Sequence, residues 1–245
     1  MPIIYLSPST QDWNPYVTGT GSEEYWMNQL ADAMRPYLNS CGIRYVRNTP
    51  DMTAASSIRQ ANQGQYDFYL ALHSNAAGSG SSGQVRGIIA FYYPRSTNGQ
   101  RAAQIFVNNL RAIYPLPDKV TTQATVSLGE VRDPKFPAVL LELGYHDNVE
   151  DARWVEGNLD RIAQNLVLSL TDYFDIPFIW PTTPWQGTVH AGGGTLNLRS
   201  RPYLTAPVIG SIPHGARVTV YGQYEEWYVV RYGDHVGYAA ERFIH

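Results

Sequence analysis

The sequence predicts an α/β domain, a mostly parallel sheet with helices on both faces, followed by a small C-terminal all-β SH3-like barrel. In the first two thirds of the chain, apolar strand-like runs alternate with amphipathic helical segments, as in parallel sheets. A proline-rich stretch then interrupts the pattern, and short strands punctuated by turns follow it. We expect the first domain at residues 1–175, a linker at 176–186 and the barrel at 187–245.

Runs rich in Ile, Val, Tyr, Phe and Leu predict the strands of the first domain. Two of them, 67–72 and 138–142, contain the uninterrupted apolar stretches that are typical of strands buried on both faces. The complete set of predicted strands is 3–6, 43–47, 67–72, 87–93 and 138–142.

Helical periodicity predicts three helices in this domain. The first follows Thr20-Gly21-Ser22-Glu23, which resembles a capping box, and it places apolar side chains at every fourth residue. The second runs from about residue 100 to residue 113, and the third covers roughly residues 151 to 174.

The stretch from Asp175 to Pro184 contains three prolines within eight residues, which indicates a stiff, extended linker. Beyond it, short strands separated by turns are predicted, and their spacing is typical of a small β-barrel. The predicted strands are 188–189, 196–199, 208–210, 217–220, 227–230 and 237–239.

Composition excludes several classes of protein. The 245-residue chain has a net charge of −3, which gives no electrostatic basis for binding nucleic acid. No apolar run is long enough to cross a bilayer, and a single cysteine excludes an internal disulfide. The chain opens directly on a predicted strand, so we expect no signal peptide.

Two of the predicted strands each deliver a reactive side chain at their carboxyl end. His73 follows one of them and Glu142 ends the other. Reactive residues gather at the carboxyl ends of parallel strands, so these two side chains are expected to share one site. A buried ionised Glu is costly unless a cation or a proton partner meets it, which suggests a metal.

Residues 2–174 resemble the zinc-dependent N-acetylmuramoyl-L-alanine amidases of the Amidase_3 type. The resemblance rests on Ile4-Tyr5-Leu6-Ser7-Pro8, Glu24 followed by Asn28 and Leu30, Leu72-His73-Ser74-Asn75-Ala76, and Pro137 to Asn148 with Asp151. It implies a Zn²⁺ cofactor and cleavage of peptidoglycan between the lactyl group of muramic acid and L-alanine. The enzyme would act on the cell wall, as an autolysin or as an endolysin released by lysis.

The resemblance also implies the zinc ligands. His73 is one, and the spacing to Asn28 selects Glu24 as another, which leaves Glu23 to the capping box. The family normally supplies a further His from a Gly-His-Gly-Gly turn after the first strand. This chain has no His there.

The missing position leaves the third ligand open. A strict match falls on Thr10, but its neighbour Gln11, whose amide oxygen can ligate a cation, is favoured because it lies on the loop where the missing ligand belongs. His146 is the alternative, since its loop leaves the same strand end as Glu142. Zinc itself prefers imidazole, thiolate and carboxylate ligands.

Glu142 is the expected general base, which takes a proton from the attacking water and later helps the amine depart. Arg132 is the candidate cation for stabilising the oxyanion. Asn75 either binds substrate through a hydrogen bond or orients the loop that carries His73.

Residues 187–245 resemble a bacterial SH3 domain, a module that commonly binds cell-wall glycan or cross-bridge peptide. The resemblance rests on Leu196-Asn197-Leu198-Arg199-Ser200-Arg201-Pro202 and on Trp227-Tyr228-Val229-Val230 with Gly237-Tyr238. Trp227 and Tyr238 are predicted to belong to an aromatic groove for wall polymer. Two other functions stay open: a metal-free wall-binding protein, and a zinc peptidase that cuts within the stem peptide.

Overall fold

The computed structural model describes all residues from 1 to 245, and the chain divides into two compact units. The first unit contains Ile3–Met34 and Tyr45–Tyr173, and the second contains Met1–Pro2, Arg35–Arg44 and Phe174–His245. The predicted fold class is confirmed, because the first unit is a mostly parallel α/β structure and the second has an antiparallel sheet.

A six-stranded sheet forms the centre of the first unit, in the order β2-β1-β3-β6-β4-β5. β1 pairs with β3, β3 with β6, and β4 with β5 in parallel, whereas β4 runs antiparallel to β6. The strands are β1 (Ile3–Pro8), β2 (Arg44–Arg47), β3 (Phe68–Asn75), β4 (Ile88–Tyr92), β5 (Val120–Ala124) and β6 (Ala138–Tyr145). All five predicted strands are present, and β5 is additional.

Six helices occur where three were predicted. The segment predicted as one helix over 151–174 is two helices, which are separated at Asn158. The four-residue α4 and the ten-residue α2 were not predicted. The helices are α1 (Glu23–Ser40), α2 (Ala54–Gln63), α3 (Thr97–Arg111), α4 (Gly129–Arg132), α5 (Val149–Gly157) and α6 (Leu159–Phe174).

Helices cover both faces of the sheet, as residues of β3 show. Phe68 points to one side, where its ring lies 6.3 Å from Phe106 of α3 and 5.0 Å from Tyr173 of α6. Its neighbour Tyr69 points to the other side, in an apolar cluster with Ile58 of α2 and Val131 of α4.

The strand period of two places the polar strand ends on the face that α2 and α4 cover. Tyr5, Tyr69 and Leu140 belong to the apolar cluster on that face. Ser7 and Glu142 come two residues further along their strands, and His73 comes four residues beyond Tyr69 on the same face. Three polar side chains therefore follow the apolar parts of three neighbouring parallel strands, close to the carboxyl ends of β1, β3 and β6.

The second unit contains six antiparallel strands in the order β7-β10-β11-β12-β8-β9. Each predicted strand is found, although β7 starts earlier than expected. Nine buried residues form the core, among them Val189, Leu198 and Ile244. The strands are β7 (Trp185–Thr188), β8 (Thr195–Arg199), β9 (Val208–Pro213), β10 (Arg217–Tyr224), β11 (Trp227–Tyr232) and β12 (His235–Ala240). None of the helices combines the length and the apolar character needed to cross a membrane.

Candidate active site

His73 and Glu142 lie side by side, because they are register partners in the neighbouring parallel strands β3 and β6. Both line a cleft of about 720 Å³ in the first unit. Thr10 and Gln11, from the loop after β1, line the same cleft. The structure therefore brings together the two strand-end side chains and the loop where a third ligand was expected.

The buried carboxylate of Glu23 meets one side of the His73 ring. Its Oε1 lies 2.8 Å from Nδ1 of His73 and accepts a 3.4 Å hydrogen bond from the backbone N–H of Ser74. Its Oε2 accepts a 2.8 Å hydrogen bond from Nδ2 of Asn14. Glu23 also occupies the first turn of α1, where the helix dipole favours a negative charge.

The prediction that placed Glu24 beside His73 is corrected by this geometry. Ser22 Oγ accepts from the backbone N–H of Tyr25, so Ser22 caps the helix and Glu23 is free to face His73. Successive helical side chains are about 100° apart, so Glu24 cannot point the same way. The Glu24 side chain makes no hydrogen bond or ion pair and is less buried than Glu23.

Glu130 of α4 meets the opposite side of the His73 ring, and sequence reasoning missed it. Its Oε2 lies 2.8 Å from Nε2 of His73. Its Oε1 accepts hydrogen bonds from Ser7 Oγ at 2.7 Å and from Tyr69 OH at 2.8 Å. The available signal was an acidic residue between Leu128 and Val131, two apolar residues whose side chains pack into the core.

The two carboxylates make His73 an imidazolium in the absence of a metal. Burial by itself would lower the pKa of His73, but the charge and hydrogen bond of Glu130, with the hydrogen bond of Glu23, raise that pKa well above 6.5. Burial would raise the pKa of Glu23 and of Glu130, yet His73 holds both below 4.5. Glu23, His73 and Glu130 thus form one charged buried triad, named here the imidazole triad.

Glu142 differs from the carboxylates of the imidazole triad because it has no partner. Its Oε2 is buried and makes no hydrogen bond. Burial raises the pKa of Glu142 to about 7, with the charge of His73 opposing this rise and those of Glu23 and Glu130 adding to it. A carboxylate with a pKa near neutrality can both accept and return a proton.

The raised pKa predicts a pH-dependent stability difference between the wild type and Glu142→Gln. Between pH 4.5 and about 7 the native state holds a proton on Glu142 that the unfolded state has lost, so the wild type loses stability as pH rises. Glutamine has no such dependence. In metal-stripped protein, the free energy of unfolding of Glu142→Gln should rise relative to that of the wild type by roughly 3 kcal/mol between pH 4.5 and 8. Urea unfolding at both pH values measures this gain, and a pH-independent difference would contradict the assigned pKa.

The segment that follows Glu142 is held by a buried carboxylate on α5. Asp151 accepts hydrogen bonds from the backbone N–H of Tyr145 at 3.1 Å, from Tyr114 OH at 2.6 Å and from Arg86 Nε at 2.8 Å. These contacts fix the end of β6, and with it the position of Glu142.

The other predicted site residues have different surroundings. Nδ1 of His146 lies 2.9 Å from the carbonyl oxygen of Ser74, and its ring stacks on Tyr16, so its contacts are not with the imidazole triad. Asn75 accepts from the backbone N–H of Ala76 at 2.8 Å, which favours the loop-orienting interpretation.

Arg132 lines the cleft, but its guanidinium is hydrogen-bonded to the adjacent Asp133. Its Nε and Nη2 donate to Asp133 at 2.7 and 2.8 Å, and its Nη1 donates to the carbonyl oxygen of Val126. A guanidinium held in this way has little freedom to meet an oxyanion. The expectation that Arg132 stabilises the oxyanion therefore lacks support from its contacts.

The aromatic groove predicted in the second unit is only partly present. Tyr238 is fully buried, so it cannot contact a polymer, and its inclusion in the groove is corrected. Trp227 is 9% exposed and lines a groove of about 490 Å³ with the half-exposed Tyr203. Glu226 and Arg242 supply charge along the same groove.

Fold and site define the class of this protein as an α/β domain with a histidine–carboxylate cleft at its strand ends, followed by a small antiparallel β domain. Residues 9–172 match the model of the N-acetylmuramoyl-L-alanine amidase family, Amidase_3, and residues 194–245 match that of the bacterial SH3 domain. The chain belongs to the N-acetylmuramoyl-L-alanine amidase family. No curated protein sequence matches the chain.

Solved structures share the fold of the amidase domain at low sequence identity. An N-acetylmuramoyl-L-alanine amidase from Clostridium difficile 630 has 18% identity and a TM-score of 0.63, covering 71% of this chain and 97% of that one. The catalytic domain of CwlV from Bacillus (Paenibacillus) polymyxa var. colistinus has 17% identity and a TM-score of 0.62, covering 72% and 100%. The catalytic domain of the CD27L endolysin, which targets Clostridium difficile, has 20% identity and a TM-score of 0.57, covering 70% and 98%.

By donor type, His73, Glu23 and Gln11 suit a zinc ion with one unusual ligand, but His73 Nδ1 and Glu23 Oε1 now share a 2.8 Å hydrogen bond and would have to separate to bind it together. Nε2 of Gln11 lies 3.4 Å from both His73 Nδ1 and Glu23 Oε1. Two ligands bound to zinc at about 2.0–2.1 Å in tetrahedral geometry stand roughly 3.3–3.4 Å apart, so the spacing of Gln11 is suitable. Turning the Gln11 amide over would point its oxygen at His73 and Glu23. Its nitrogen would then face Asn14 Nδ2, which now donates to Gln11 Oε1 at 3.1 Å, so the Asn14 side chain would have to turn as well. The Gln11 oxygen is neutral, so binding weaker than with a third imidazole is expected.

Proposed function

We propose that this protein is a zinc-dependent peptidoglycan hydrolase that cleaves the amide between the lactyl group of N-acetylmuramic acid and L-alanine. The observation that carries the proposal is the unpartnered Glu142, whose pKa is about 7, beside the histidine–carboxylate pair His73 and Glu23. Membership of the amidase family supports the choice of bond and of substrate.

His73 through Nδ1, Glu23 through its carboxylate and Gln11 through its amide oxygen would hold the zinc. When bound, zinc polarises the scissile carbonyl and lowers the pKa of water. Asn14 holds the Glu23 carboxylate in place, because its Nδ2 donates to Glu23 Oε2 at 2.8 Å.

Glu142 carries the proton through the reaction. Its carboxylate lines the cleft and has no hydrogen bond at Oε2, so it is available to accept the proton of the attacking water. The same carboxylate then returns the proton to the nitrogen of the departing L-alanine. A pKa near 7 suits both steps at neutral pH.

The bacterial SH3 domain would bind the cell wall and keep the amidase domain close to its substrate. Such tethering raises the effective concentration of substrate without changing the chemistry. The groove of Trp227 and Tyr203 is the candidate contact surface. The site of action would accordingly be the cell wall.

Digestion of purified cell walls tests the proposed bond. We expect mass spectrometry to show stem peptides that begin with a free L-alanine amine and glycan that carries free lactyl carboxyl groups. New ends within the stem peptide, with the lactyl amide intact, would show a peptidase and contradict the proposal.

Neighbouring glutamates offer a matched test of the metal site. Glu23→Gln removes the carboxylate beside His73, whereas Glu24→Gln removes a carboxylate that makes no contact there. We expect the first variant to lose zinc on dialysis and the second to keep about one zinc per chain, as the wild type does. Atomic absorption measures both. Zinc loss from Glu24→Gln alone would restore Glu24 as the ligand.

The third ligand is tested in the same way. Gln11→Ala removes the amide 3.4 Å from His73, and His146→Ala removes a ring whose Nδ1 faces Ser74. We expect weaker zinc binding in the first variant and unchanged binding in the second, measured by titration of metal-stripped protein. The reverse result would identify His146 as the ligand.

One observation favours the rival function, a wall-binding protein without metal. The side chain that joins His73 and Glu23 at the proposed zinc site is the neutral Gln11, which is a poorer zinc ligand than an imidazole, thiolate or carboxylate. Wild type purified without added zinc decides between the two functions. A metal-free chain that sediments with cell walls but releases no L-alanine amines would establish the rival.

A further inference from the structure

We propose that Glu130 is a positioning residue, which holds His73 with its proton on Nε2 so that Nδ1 is presented to Glu23 and Gln11. The inference rests on the proposed function, because it concerns the same histidine. It assigns a role to a residue on α4, an element that supplies none of the proposed zinc ligands.

The contacts of His73 divide its ring into two sides. Nδ1 lies 2.8 Å from Glu23 Oε1 and 3.4 Å from Gln11 Nε2, and Nε2 lies 2.8 Å from Glu130 Oε2. A neutral imidazole carries one proton, and the nitrogen without it is the one that binds a metal. In the metal-free protein each carboxylate accepts from one ring nitrogen, whereas zinc bound beside Glu23 would take the place of the proton on Nδ1 and leave the Nε2 proton held by Glu130.

A buried polar network holds Glu130 in this position. Ser7 and Tyr69 both donate to its Oε1, so Oε2 is left for His73. Asn48 extends the network, because its Nδ2 donates to Ser57 Oγ at 3.1 Å and lies 3.4 Å from Ser7 Oγ. Glu130 and the four residues of its network are at least 95% buried, so little water competes for the Glu130 carboxylate. The four are Ser7, Asn48, Ser57 and Tyr69.

Anchoring α4 does not explain the charge. Val131, the next residue, already packs into the apolar cluster with Ile58 and Tyr69. Burying a carboxylate costs free energy unless its partners compensate, and an apolar side chain would avoid that cost. A carboxylate that accepts from the distal nitrogen of a ligating histidine fixes the ring and increases its basicity, and losing it typically lowers metal affinity about 10–100-fold.

The test measures zinc affinity and the state of the His73 ring separately. Metal-stripped wild type, Glu130→Gln and Glu24→Gln are titrated with zinc chloride. We expect Glu130→Gln to bind about 10–100-fold more weakly. Glu24→Gln should stay close to wild type, because it removes an acidic side chain that contacts neither His73 nor Glu130. Nitrogen-15 NMR of histidine-labelled, zinc-loaded protein should show the His73 proton on Nε2 in the wild type.

Each outcome bears on the inference. Wild-type zinc affinity in Glu130→Gln, or a His73 proton on Nδ1 in the zinc-loaded wild type, would overturn it. A loss of zinc as complete as that of Glu23→Gln would make Glu130 a ligand and overturn the positioning role. A wild type that binds no zinc would contradict the proposed function instead. The NMR spectrum of the metal-free protein would then test the contact between Glu130 and His73. The signal of the His73 Nε2 proton that is hydrogen-bonded to Glu130 must vanish in Glu130→Ala.

Discussion

Replacement of Glu142 by glutamine is expected to lower the rate of amide hydrolysis by about 10²–10⁴-fold, the usual contribution of a general acid–base. Glutamine has nearly the same shape, but its amide can neither take the proton of the attacking water nor return it to the amine. Glu142 is not among the proposed zinc ligands, so the variant should keep its zinc. The measurement is the release of L-alanine amines from purified walls, together with the zinc content of the same sample.

Glu24→Gln is the matched control for this experiment, because it removes an acidic side chain without contacts at the site. Its hydrolysis rate should stay near that of the wild type. Turnover of Glu142→Gln within a few-fold of wild type would remove Glu142 from the proton-transfer role. Loss of zinc together with activity would instead make Glu142 part of the metal site.

Much of the fold was predictable because most strands can be recognised from short local sequence patterns. The run from Phe68 to Leu72 is apolar, and the polar His73 follows it two residues before β3 ends. The same pattern places Glu142 three residues before the end of β6. Strand β5 was missed because only Val120 among its residues is buried. Helix α2 was missed because its buried side chains are Ser57, Ile58 and Ala61, which make no apolar stripe.

The site itself depends on contacts that no local pattern reveals. Glu23 and Glu24 are adjacent acids at a helix start, and the choice between them depends on which residue caps the helix. Glu130 and His73 are 57 residues apart and meet through a four-residue helix, too short to show any periodicity. Tyr238 is aromatic in a strand of a small barrel, and composition does not say whether its ring points inward or outward.

His73→Ala is expected to destabilise the metal-free protein by about 3–5 kcal/mol at pH 7, the usual cost of removing one partner from a buried ion pair. The substitution leaves the carboxylates of Glu23 and Glu130 buried without the cation between them. Urea unfolding of wild type and variant at several pH values measures the loss.

The pH dependence separates this effect from simple loss of packing. In the wild type, His73 holds the pKa of Glu23 and of Glu130 below 4.5, so their stabilisation is present above pH 4.5 and lost as pH falls through the lowered values. In the variant, burial raises both pKa values and protonation relieves the cost. The deficit, which is the loss of unfolding free energy caused by the substitution, should therefore shrink as pH falls from 7 towards 4. His146→Ala removes a buried histidine without stranding a carboxylate, so its deficit should be smaller and should not shrink in this way. Equal, pH-independent losses in the two variants would show that the imidazole triad carries no charge.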